Sequence, residues 1–472
     1  MVKIRPRSTP NRRFPSSSPS SPQDARSAAL FLLNHLESSQ LPLDLLLESD
    51  CHGEKLLPLD RALFNHLVYG VLRWQLYLDS VMAAYTDRPS RKITPEVRNI
   101  LRLALFQIFF MDRIPPSAAV NTAVNMAHGL PHGALRTAGF VNGLLRNVLR
   151  HPDRFQPPDP DKFPVAHLSV TTATPEWLAQ RWVDRMGMDS ATELCKAMNT
   201  IPPVTLRCNV LKNTVEELTR TLLDVAKTLT LSRTGFHAVS LDGLSCPVFR
   251  MPGFAKGRFA VQDEAAQGVG LLVSPRPGET VLDACAGLGG KTGHMAEFMK
   301  NQGRIIALDH SGKKLIRLEE EAKRLGVTII ETQEADLRHP LSLDTGMRFD
   351  RILLDAPCSG LGVLRRNPDA KWRVNESDIH RCAKQQGRFL ANLAPWLRVG
   401  GTLVYAVCST EPEENQDVIK AFLSAHPDFE VDKTVFEQID IRPFLDANGF
   451  FRTFPHLHAM DGFFAARLIR TC

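Results

Sequence analysis

Short apolar runs alternate with helical patterns through the C-terminal half of the chain. The runs at residues 280–284, 351–354 and 402–407 are mostly apolar, as in strands that are buried on both faces. Amphipathic helical patterns at residues 311–325 and 376–397 lie between these runs. Repeated strand–helix units form parallel sheets with helices on both faces. The sequence therefore predicts an α/β domain in this half.

Two cysteines lie at the ends of two of these runs. Cys358 belongs to Asp355-Ala-Pro-Cys-Ser-Gly, and Cys408 follows the next run directly. The carboxyl ends of parallel strands meet at one edge of the sheet, where open α/β folds bind ligands. A thiolate is strongly nucleophilic near neutral pH. Two thiols and the Asp355 carboxylate around one cleft predict covalent catalysis with a separate proton transfer. The alternative is that both cysteines are simply buried small side chains.

A glycine-rich loop follows the first run, where a nucleotide-like cofactor is expected. It has the glycine spacing of neither a Walker A motif nor a dinucleotide loop, so phosphate binding is not required. Asp309 ends the next strand and is placed to accept hydrogen bonds from ribose hydroxyls, or to cap a helix. Asp336 follows the third strand, predicted at residues 327–330, and either meets the cofactor base or is a turn residue. The candidate cofactor-binding residues are Cys285, Ala286, Gly287, Leu288, Gly289, Gly290, Lys291, Asp309, Asp336 and Asp355.

A basic stretch at residues 365–373, shortly after Cys358, is the candidate RNA contact. Arg365, Arg366, Lys371 and Arg373 surround Trp372. Cations mixed with an aromatic ring suit phosphate contacts combined with base stacking. The alternative is a solvated loop with no ligand.

The sequence pattern divides the chain into a tail and three predicted domains. Residues 1–23 are rich in proline, serine and arginine and predict a disordered basic tail. Residues 24–155 show apolar positions at helical spacing and predict an all-helical domain, which ends in a proline-rich linker. Residues 165–257 combine helical patterns with short apolar runs, which surround a helix predicted near residues 214–231, and predict a small α+β module. The α/β domain occupies residues 258–472.

Charge and cysteine usage limit the class of protein. Residues 1–155 hold 19 Lys and Arg against 12 Asp and Glu, which favours a polyanionic partner such as RNA. The nine cysteines form no CxxC pair, so neither a disulfide framework nor a zinc site is expected, and no metal is predicted. No apolar stretch reaches the ~20 residues of a membrane span, and no signal-peptide pattern opens the chain. We expect a cytoplasmic protein without membrane association.

These motifs resemble those of the Sun-type RNA (cytosine-5) methyltransferases, and the likeness covers nearly the whole chain. The glycine loop corresponds to the family's Cys-Ala-Ala-Pro-Gly-Gly-Lys-Thr, residues 355–360 to its Asp-Ala-Pro-Cys-Ser-Gly, and residues 405–409 to its strand ending in Thr-Cys-Ser. Residues 261–266 and 461–467 are similar to its flanking signatures. Residues 115–124 and 139–146 resemble a NusB-like RNA-binding domain, which marks the bacterial branch that acts on small-subunit ribosomal RNA.

The resemblance implies an architecture and a reaction. It implies a NusB-like all-α domain, an RNA-recognition-like α+β module and a Rossmann-like class I methyltransferase domain with a mostly parallel seven-stranded sheet. S-adenosylmethionine would be the methyl donor, with Asp309 at its ribose and Asp336 at its adenine. Cys408 would attack C6 of a cytosine in RNA, most simply 16S ribosomal RNA. Asp355 would bind the base near N3, and Cys358 would assist loss of the C5 proton. We expect a monomer.

Three departures from the family pattern keep other hypotheses open. Gly287 and Leu288 stand where the family has Ala-Pro, and Val407 stands where it has Thr. They motivate a second hypothesis, a non-catalytic RNA-binding or ribosome-assembly factor. A third is a DNA-directed cytosine methyltransferase. From the residues alone, the two cysteines are interchangeable as nucleophile, and the assignment to Cys408 rests on the resemblance.

Overall fold

The computed structural model describes residues 24–39, 41–49, 56–87, 92–131, 134–232, 236–344, 346–433 and 441–472. The predicted basic tail at residues 1–23 lies outside the described residues. The chain divides into two compact units, Met1–Gln156 and Pro157–Cys472. Across the described ranges, no helix is long and apolar enough to cross a membrane.

The N-terminal unit is helical, as predicted. Its described helices are α1 (Ala25–Ser39), α2 (Leu43–Ser49), α3 (Pro58–Ala84), α4 (Pro95–Phe110), α5 (Pro116–His128) and α6 (Ala134–Arg150). Three of them begin with proline, whose fixed φ suits the first helical turn and whose missing N–H is not needed there. Ile100, Leu101 and Ala104 of α4 are fully buried, in agreement with the helical spacing.

A small α+β module begins the second unit. Its elements are α7 (Pro164–Thr171), α8 (Glu176–Met186), α9 (Met188–Met198), β1 (Val204–Cys208), α10 (Val215–Leu222), β2 (Ala226–Leu231), β3 (Ala238–Leu244) and β4 (Phe259–Val261). The strands form an antiparallel sheet in the order β2-β3-β1-β4.

The helix expected over residues 214–231 is shorter than predicted. Thr214 and Glu217 form a capping box that starts α10. The helix ends at Leu222, and residues from Ala226 onward form β2, which pairs with β3. The alternating sequence Ala-Lys-Thr-Leu-Thr-Leu suits a strand once a neighbouring strand is present, which the helical pattern alone does not reveal.

A mostly parallel sheet forms the rest of the unit. Its strands are β5 (Thr280–Asp283), β6 (Arg304–Asp309), β7 (Ile330–Glu334), β8 (Phe349–Asp355), β9 (Leu397–Val407), β10 (Phe429–Val431), β11 (Phe451–Thr453) and β12 (Phe463–Arg470). The helices are α11 (Glu264–Val273), α12 (Gly290–Phe298), α13 (Gly312–Leu325), α14 (Ala370–Arg373), α15 (Glu376–Leu393), α16 (Gln416–Ala425) and α17 (Pro455–His458).

Seven strands lie side by side in the order β10-β12-β9-β8-β5-β6-β7, and the short β11 adds to β12. The neighbours from β9 to β7 are parallel, whereas β12 is antiparallel to both β9 and β10. The third strand, expected at residues 327–330, instead spans Ile330–Glu334. It is a polar edge strand, so its position follows from pairing with β6 and not from an apolar run.

The register of the two central strands sets the height of the predicted thiols. Asp355 at the end of β8 pairs with Ala406 near the end of β9. Cys358 and Cys408 follow these positions by three and two residues, so both emerge at the same edge of the sheet. The edge is the one formed by the carboxyl ends of the parallel strands, as predicted.

Candidate active site

A cleft of about 440 Å³ opens at the carboxyl ends of the central parallel strands. Seven residues predicted from the sequence line it: Cys285, Gly287, Asp309, Asp336, Asp355, Cys358 and Cys408. The lining also includes residues that pattern reasoning did not single out, among them His310, Lys314, Arg338, Gln385 and Phe389. The volume lies within the roughly 300–1,000 Å³ typical of small-molecule sites. Strand-end motifs far apart in sequence therefore meet in one cavity.

The two cysteines face each other across this cleft. Cys358 Sγ lies 3.3 Å from Cys408 Sγ, within the range of a thiol hydrogen bond. The hydrogen bond with Cys408, together with burial, raises the pKa of Cys358 well above its usual value. Cys358 therefore keeps its proton at neutral pH. A protonated Cys358 can donate its S–H to the Cys408 sulfur in this contact.

A lysine–aspartate pair lies next to the thiols. Lys291 Nζ donates to Asp355 Oδ2 at 2.6 Å. Burial alone would lower the pKa of Lys291, but the Asp355 carboxylate outweighs burial and raises it, and Cys408 adds to the rise. Lys291 thus remains an ammonium close to both groups. A cation beside a thiol stabilises the thiolate form.

A second carboxyl group lies beneath the cleft. Asp283 is 1% exposed and accepts a 2.7 Å hydrogen bond from the Thr292 hydroxyl. Burial, with a contribution from the charge of Asp355, raises the pKa of Asp283 to about 7. A buried carboxyl group near another carboxylate is hard to ionise, so Asp283 keeps its proton below about pH 7.

The glycine loop is held by the strand that follows it. Asp309 Oδ2 accepts a 3.1 Å hydrogen bond from the amide of Gly287. Gly287 and Gly289 have φ of 57° and 83°, so both adopt left-handed backbone conformations.

Of the other predicted loop residues, Leu288 is 47% exposed. Ala286 lies against the core on the α13 side. The carbonyl of Gly290 accepts from Arg207, which belongs to the small module. Cys285 and Gly287 are the loop residues that line the cleft.

Asp336 enters the cleft with an arginine partner. Arg338 Nη2 donates to Asp336 Oδ2 at 2.7 Å. These hydrogen bonds lower the pKa of Asp336 to about 2, so the carboxylate is charged throughout the physiological range. Arg338 lines the same cleft, so this part of the wall presents a carboxylate and a guanidinium to a ligand together.

Comparison with known proteins assigns the chain to a family. Family models match it in three places: 16S rRNA methyltransferase RsmB/F at residues 270–469, the NusB family at 23–150, and the ferredoxin-like domain of RsmF/B-like methyltransferases at 174–248. The probable ribosomal RNA small subunit methyltransferase B of Bacillus subtilis is 37% identical over 93% of this chain and 97% of that relative. The chain belongs to the RsmB/F methyltransferase family.

Other similarities agree with the RsmB/F assignment. The corresponding probable methyltransferase of Synechocystis is 36% identical over 94% of this chain and 99% of its own length. The crystal structure of the protein PH0851 superimposes with a TM-score of 0.77 at 26% identity, over 96% of this chain and 99% of that chain. The predicted order of NusB-like domain, small α+β module and Rossmann-like methyltransferase domain is confirmed.

Two of the predicted RNA-contact residues have structural roles in this RsmB/F chain. Arg365 and Lys371 are 4% and 3% exposed. Arg365 Nε donates to Asp461 Oδ1 at 2.6 Å, and Lys371 Nζ donates to the Ala173 carbonyl at 2.9 Å. Buried cations that are hydrogen-bonded within the protein are not available to RNA phosphates. Their burial argues against the predicted contacts with RNA phosphates.

The other two predicted RNA contacts are partly exposed. Arg366 donates to Asp461 at 2.5 Å and to Asp263 at 2.7 Å, with 28% of its side chain exposed. Arg373 donates to Asp369 at 3.0 Å, with 31% of its side chain exposed. The Arg366 ion pairs tie the basic stretch to other parts of the unit, whereas the Arg373–Asp369 pair lies within the stretch. An RNA contact by these two arginines remains a prediction.

A buried glutamate behind the thiols was not predicted. Glu414 is 0% exposed, and its carboxylate accepts hydrogen bonds from Ser359 and Ser409, the residues that follow Cys358 and Cys408. In the sequence Glu411-Pro-Glu-Glu414 nothing distinguishes it from its neighbours. The signal that could have identified it is its position shortly after a strand-end cysteine, in the turn that must return past the other strand.

Proposed function

We propose that this protein transfers a methyl group from S-adenosylmethionine to C5 of a cytosine in RNA, with 16S ribosomal RNA as the substrate. Membership of the RsmB/F family supports an RNA methyltransferase. The observation that carries the finer proposal is the 3.3 Å contact between Cys358 and Cys408 beside the Lys291–Asp355 pair. Two thiols at this distance suit the formation and the release of one covalent adduct.

The cleft fits the proposed methyl donor. Gly287 leaves space where a side chain would stand, because a Cβ added there meets no atom within 4 Å. Asp309, at the end of β6, offers carboxylate oxygens for ribose hydroxyls, and Asp336 lies on the wall where the adenine end would be bound. When bound, S-adenosylmethionine supplies the electrophilic methyl group that C5 receives.

Cys408 is the proposed nucleophile. The target cytosine leaves its stack to enter the cleft, and the Cys408 thiolate adds to C6, which makes C5 electron-rich. Lys291 is positively charged near Cys408, and the Cys358 thiol donates to its sulfur. Asp355 binds the base near N3 through a proton held between the two, since a carboxylate and N3 are both acceptors, and the Lys291 ammonium offsets the negative charge that develops on the ring.

Cys358 is the proposed proton acceptor in the release step. Its pKa is raised first by the hydrogen bond with Cys408 and by burial, and then by the charge of Cys408. Once Cys408 is bonded to C6, that hydrogen bond to a thiolate and that charge are lost, so Cys358 can more easily give up its proton to water. As a thiolate it can remove the C5 proton while the Cys408–C6 bond breaks. The coupling between the thiols thus sets the order of the two steps.

The remaining parts of the proposal concern the setting of the reaction. The NusB-like domain and the small module are proposed to bind the RNA, with Arg366 and Arg373 as candidate contacts within the methyltransferase domain. We also propose that the protein acts on ribosomal RNA as a monomer in the cytoplasm.

Methylation of defined RNA tests the substrate and the product. The protein is incubated with labelled S-adenosylmethionine and unmodified 16S ribosomal RNA, and the digested RNA is analysed for labelled nucleosides. Labelled 5-methylcytidine is expected. Duplex DNA of matching sequence serves as competitor, and label on DNA alone would contradict the proposal. Binding of the cofactor's product with no transfer to free or assembled RNA would favour the non-catalytic assembly factor instead.

Trapping of the covalent adduct tests the roles of the thiols. Cys358→Ala is expected to accumulate an enzyme–RNA adduct that survives a denaturing gel, and Cys408→Ala is expected to form none. General acid–base groups contribute typically about 10²–10⁴-fold to a rate. Release of the adduct should therefore be at least about 100-fold slower in Cys358→Ala than in wild type. Cys382→Ala, at a half-buried cysteine of α15, controls for loss of a thiol elsewhere. The reverse pattern on the gel would exchange the two roles.

A further inference from the structure

Glu414 joins the loops that carry the two thiols. Its Oε1 accepts a 2.8 Å hydrogen bond from the Ser359 amide, and its Oε2 accepts from the hydroxyls of Ser359 and Ser409 at 2.5 Å each. Ser359 directly follows Cys358, and Ser409 directly follows Cys408. One carboxylate therefore links the two residues that directly follow the thiols of the 3.3 Å contact.

The surroundings of Glu414 hold the carboxylate rigidly. A further donor, Gln386 Nε2, lies 3.2 Å from Oε1 and also donates to the Pro357 carbonyl at 3.0 Å. Tyr405 donates its hydroxyl to the Glu414 carbonyl at 2.5 Å. The four groups that donate to the carboxylate are neutral. A fully buried carboxylate is unfavourable unless such donors replace its water, so the serines and the glutamate must adopt one arrangement together.

Glu414 differs in this respect from the other acidic residues of the same turn. Glu411 and Glu413 both accept from Arg181 of α8, in the small module. They attach the turn to a neighbouring element, whereas Glu414 faces the thiol loops. Glu413 is therefore a matched control: it is a carboxylate in the same turn that does not contact either serine.

We propose that Glu414 is a positioning residue that fixes the spacing of Cys358 and Cys408 by holding the serine that follows each of them. The inference rests on the proposed function for its catalytic meaning. The spacing of the two thiols can be measured whether or not that function holds. The charge of Glu414 also contributes, after the Cys408 hydrogen bond, burial and the Cys408 charge, to the raised pKa of Cys358, in keeping with a shared structural unit.

The first test measures thiol spacing without RNA or cofactor. Full-length wild type, Glu414→Gln and Glu413→Gln are equilibrated with reduced and oxidised glutathione. The fraction with a Cys358–Cys408 disulfide is then measured by mass spectrometry of digested protein. The effective concentration of one thiol toward the other is expected to fall roughly tenfold or more in Glu414→Gln, since its amide cannot accept the same set of hydrogen bonds. Glu413→Gln is expected to match wild type. Equal values in all three proteins would overturn the proposal.

The second test separates positioning from a general loss of structure. In Glu414→Gln, kcat for RNA methylation is expected to fall roughly 100-fold, the scale of a 1 Å misplacement. KM for S-adenosylmethionine is expected to stay the same, because Glu414 does not line the cleft. Adding Ser359→Ala and Ser409→Ala to Glu414→Gln should cause little further loss, because all three act through one contact. Additive losses, or a kcat equal to that of wild type, would contradict the role.

A Glu414→Gln protein that does not fold and a wild type without methylation activity each leave a decisive measurement. If Glu414→Gln does not fold, Ser359→Ala and Ser409→Ala carry both tests, since each removes one hydroxyl and leaves the carboxylate in place; unchanged thiol spacing in both would overturn the inference. If the wild type shows no cytosine methylation, the proposed function fails, while the glutathione measurement still decides whether Glu414 sets the spacing of the thiols.

Discussion

Replacing Gly289 with alanine should destabilise the C-terminal unit more than the same change at Gly287. Gly289 has φ of 83°, and an added Cβ would lie 2.5 Å from Cγ of Leu318 in α13. A left-handed backbone costs a non-glycine residue about 1–2 kcal/mol, and overfilling a packed site costs about 1–3 kcal/mol more. The expected loss in the free energy of unfolding for Gly289→Ala is their sum, about 2–5 kcal/mol.

Gly287→Ala is the matched control. Its φ of 57° carries the backbone cost, but a Cβ there meets no atom within 4 Å. The expected loss is therefore the backbone cost alone, about 1–2 kcal/mol, without the packing cost that Gly289→Ala adds. The resembling family motif has alanine at this position, so the affinity for S-adenosylmethionine should also be retained, as measured by calorimetry.

Urea unfolding followed by tryptophan fluorescence is the appropriate assay. Four of the five tryptophans, at positions 177, 182, 372 and 396, belong to the unit Pro157–Cys472, so the signal reports mainly on that unit. Gly289→Ala should unfold at clearly lower urea than Gly287→Ala. A Gly289→Ala protein as stable as Gly287→Ala would refute the contact with Leu318 as the reason for glycine.

Three further predictions concern buried charges. The pKa of Asp283 is raised to about 7, so the folded chain keeps a proton that the unfolded chain loses near pH 4. The free energy of unfolding should fall as pH rises between these values; urea unfolding at pH 4.5 and 7.5 should show a smaller fall for Asp283→Asn, and an unchanged slope would contradict the cause. Lys291→Met should lower single-turnover methylation roughly 100-fold by leaving Asp355 unpaired, while Lys313→Met should not; equal rates would count against the pair. Lys371→Met should lose about 1–3 kcal/mol of stability in urea without weaker RNA binding on filters, whereas weaker binding at full stability would restore a phosphate contact.

The sheet could be predicted because its central strands are continuous apolar runs in the sequence. Residues 351–354 and 402–407 lie within β8 and β9, and both thiols emerge at the predicted edge. A polar edge strand carries no such signal. The position of β7 depends on its pairing with β6, and that of β2 on its pairing with β3, neither of which is visible in a local window.

The candidate site was predictable where single residues occupy strand ends, and not where partners are distant in sequence. Arg365 and Lys371 were expected to be exposed because they are cations in a loop. Arg365 instead meets Asp461, 96 residues later, and Lys371 meets Asn199, 172 residues earlier. Glu414 was missed for the same reason: its importance arises from contact with Ser359, 55 residues away.

The register of β8 and β9 has a consequence for changes in chain length. Asp355 and Ala406 are paired, and the thiols lie three and two residues beyond them, although 50 residues separate the cysteines along the chain. An insertion in a distant surface turn leaves that pairing intact. One extra residue between Asp355 and Cys358 would instead shift a sulfur by up to about 3.3 Å, as far as the present gap between the sulfurs. Insertions and deletions, more than substitutions, are therefore what these two short segments should exclude during evolution and in engineered variants.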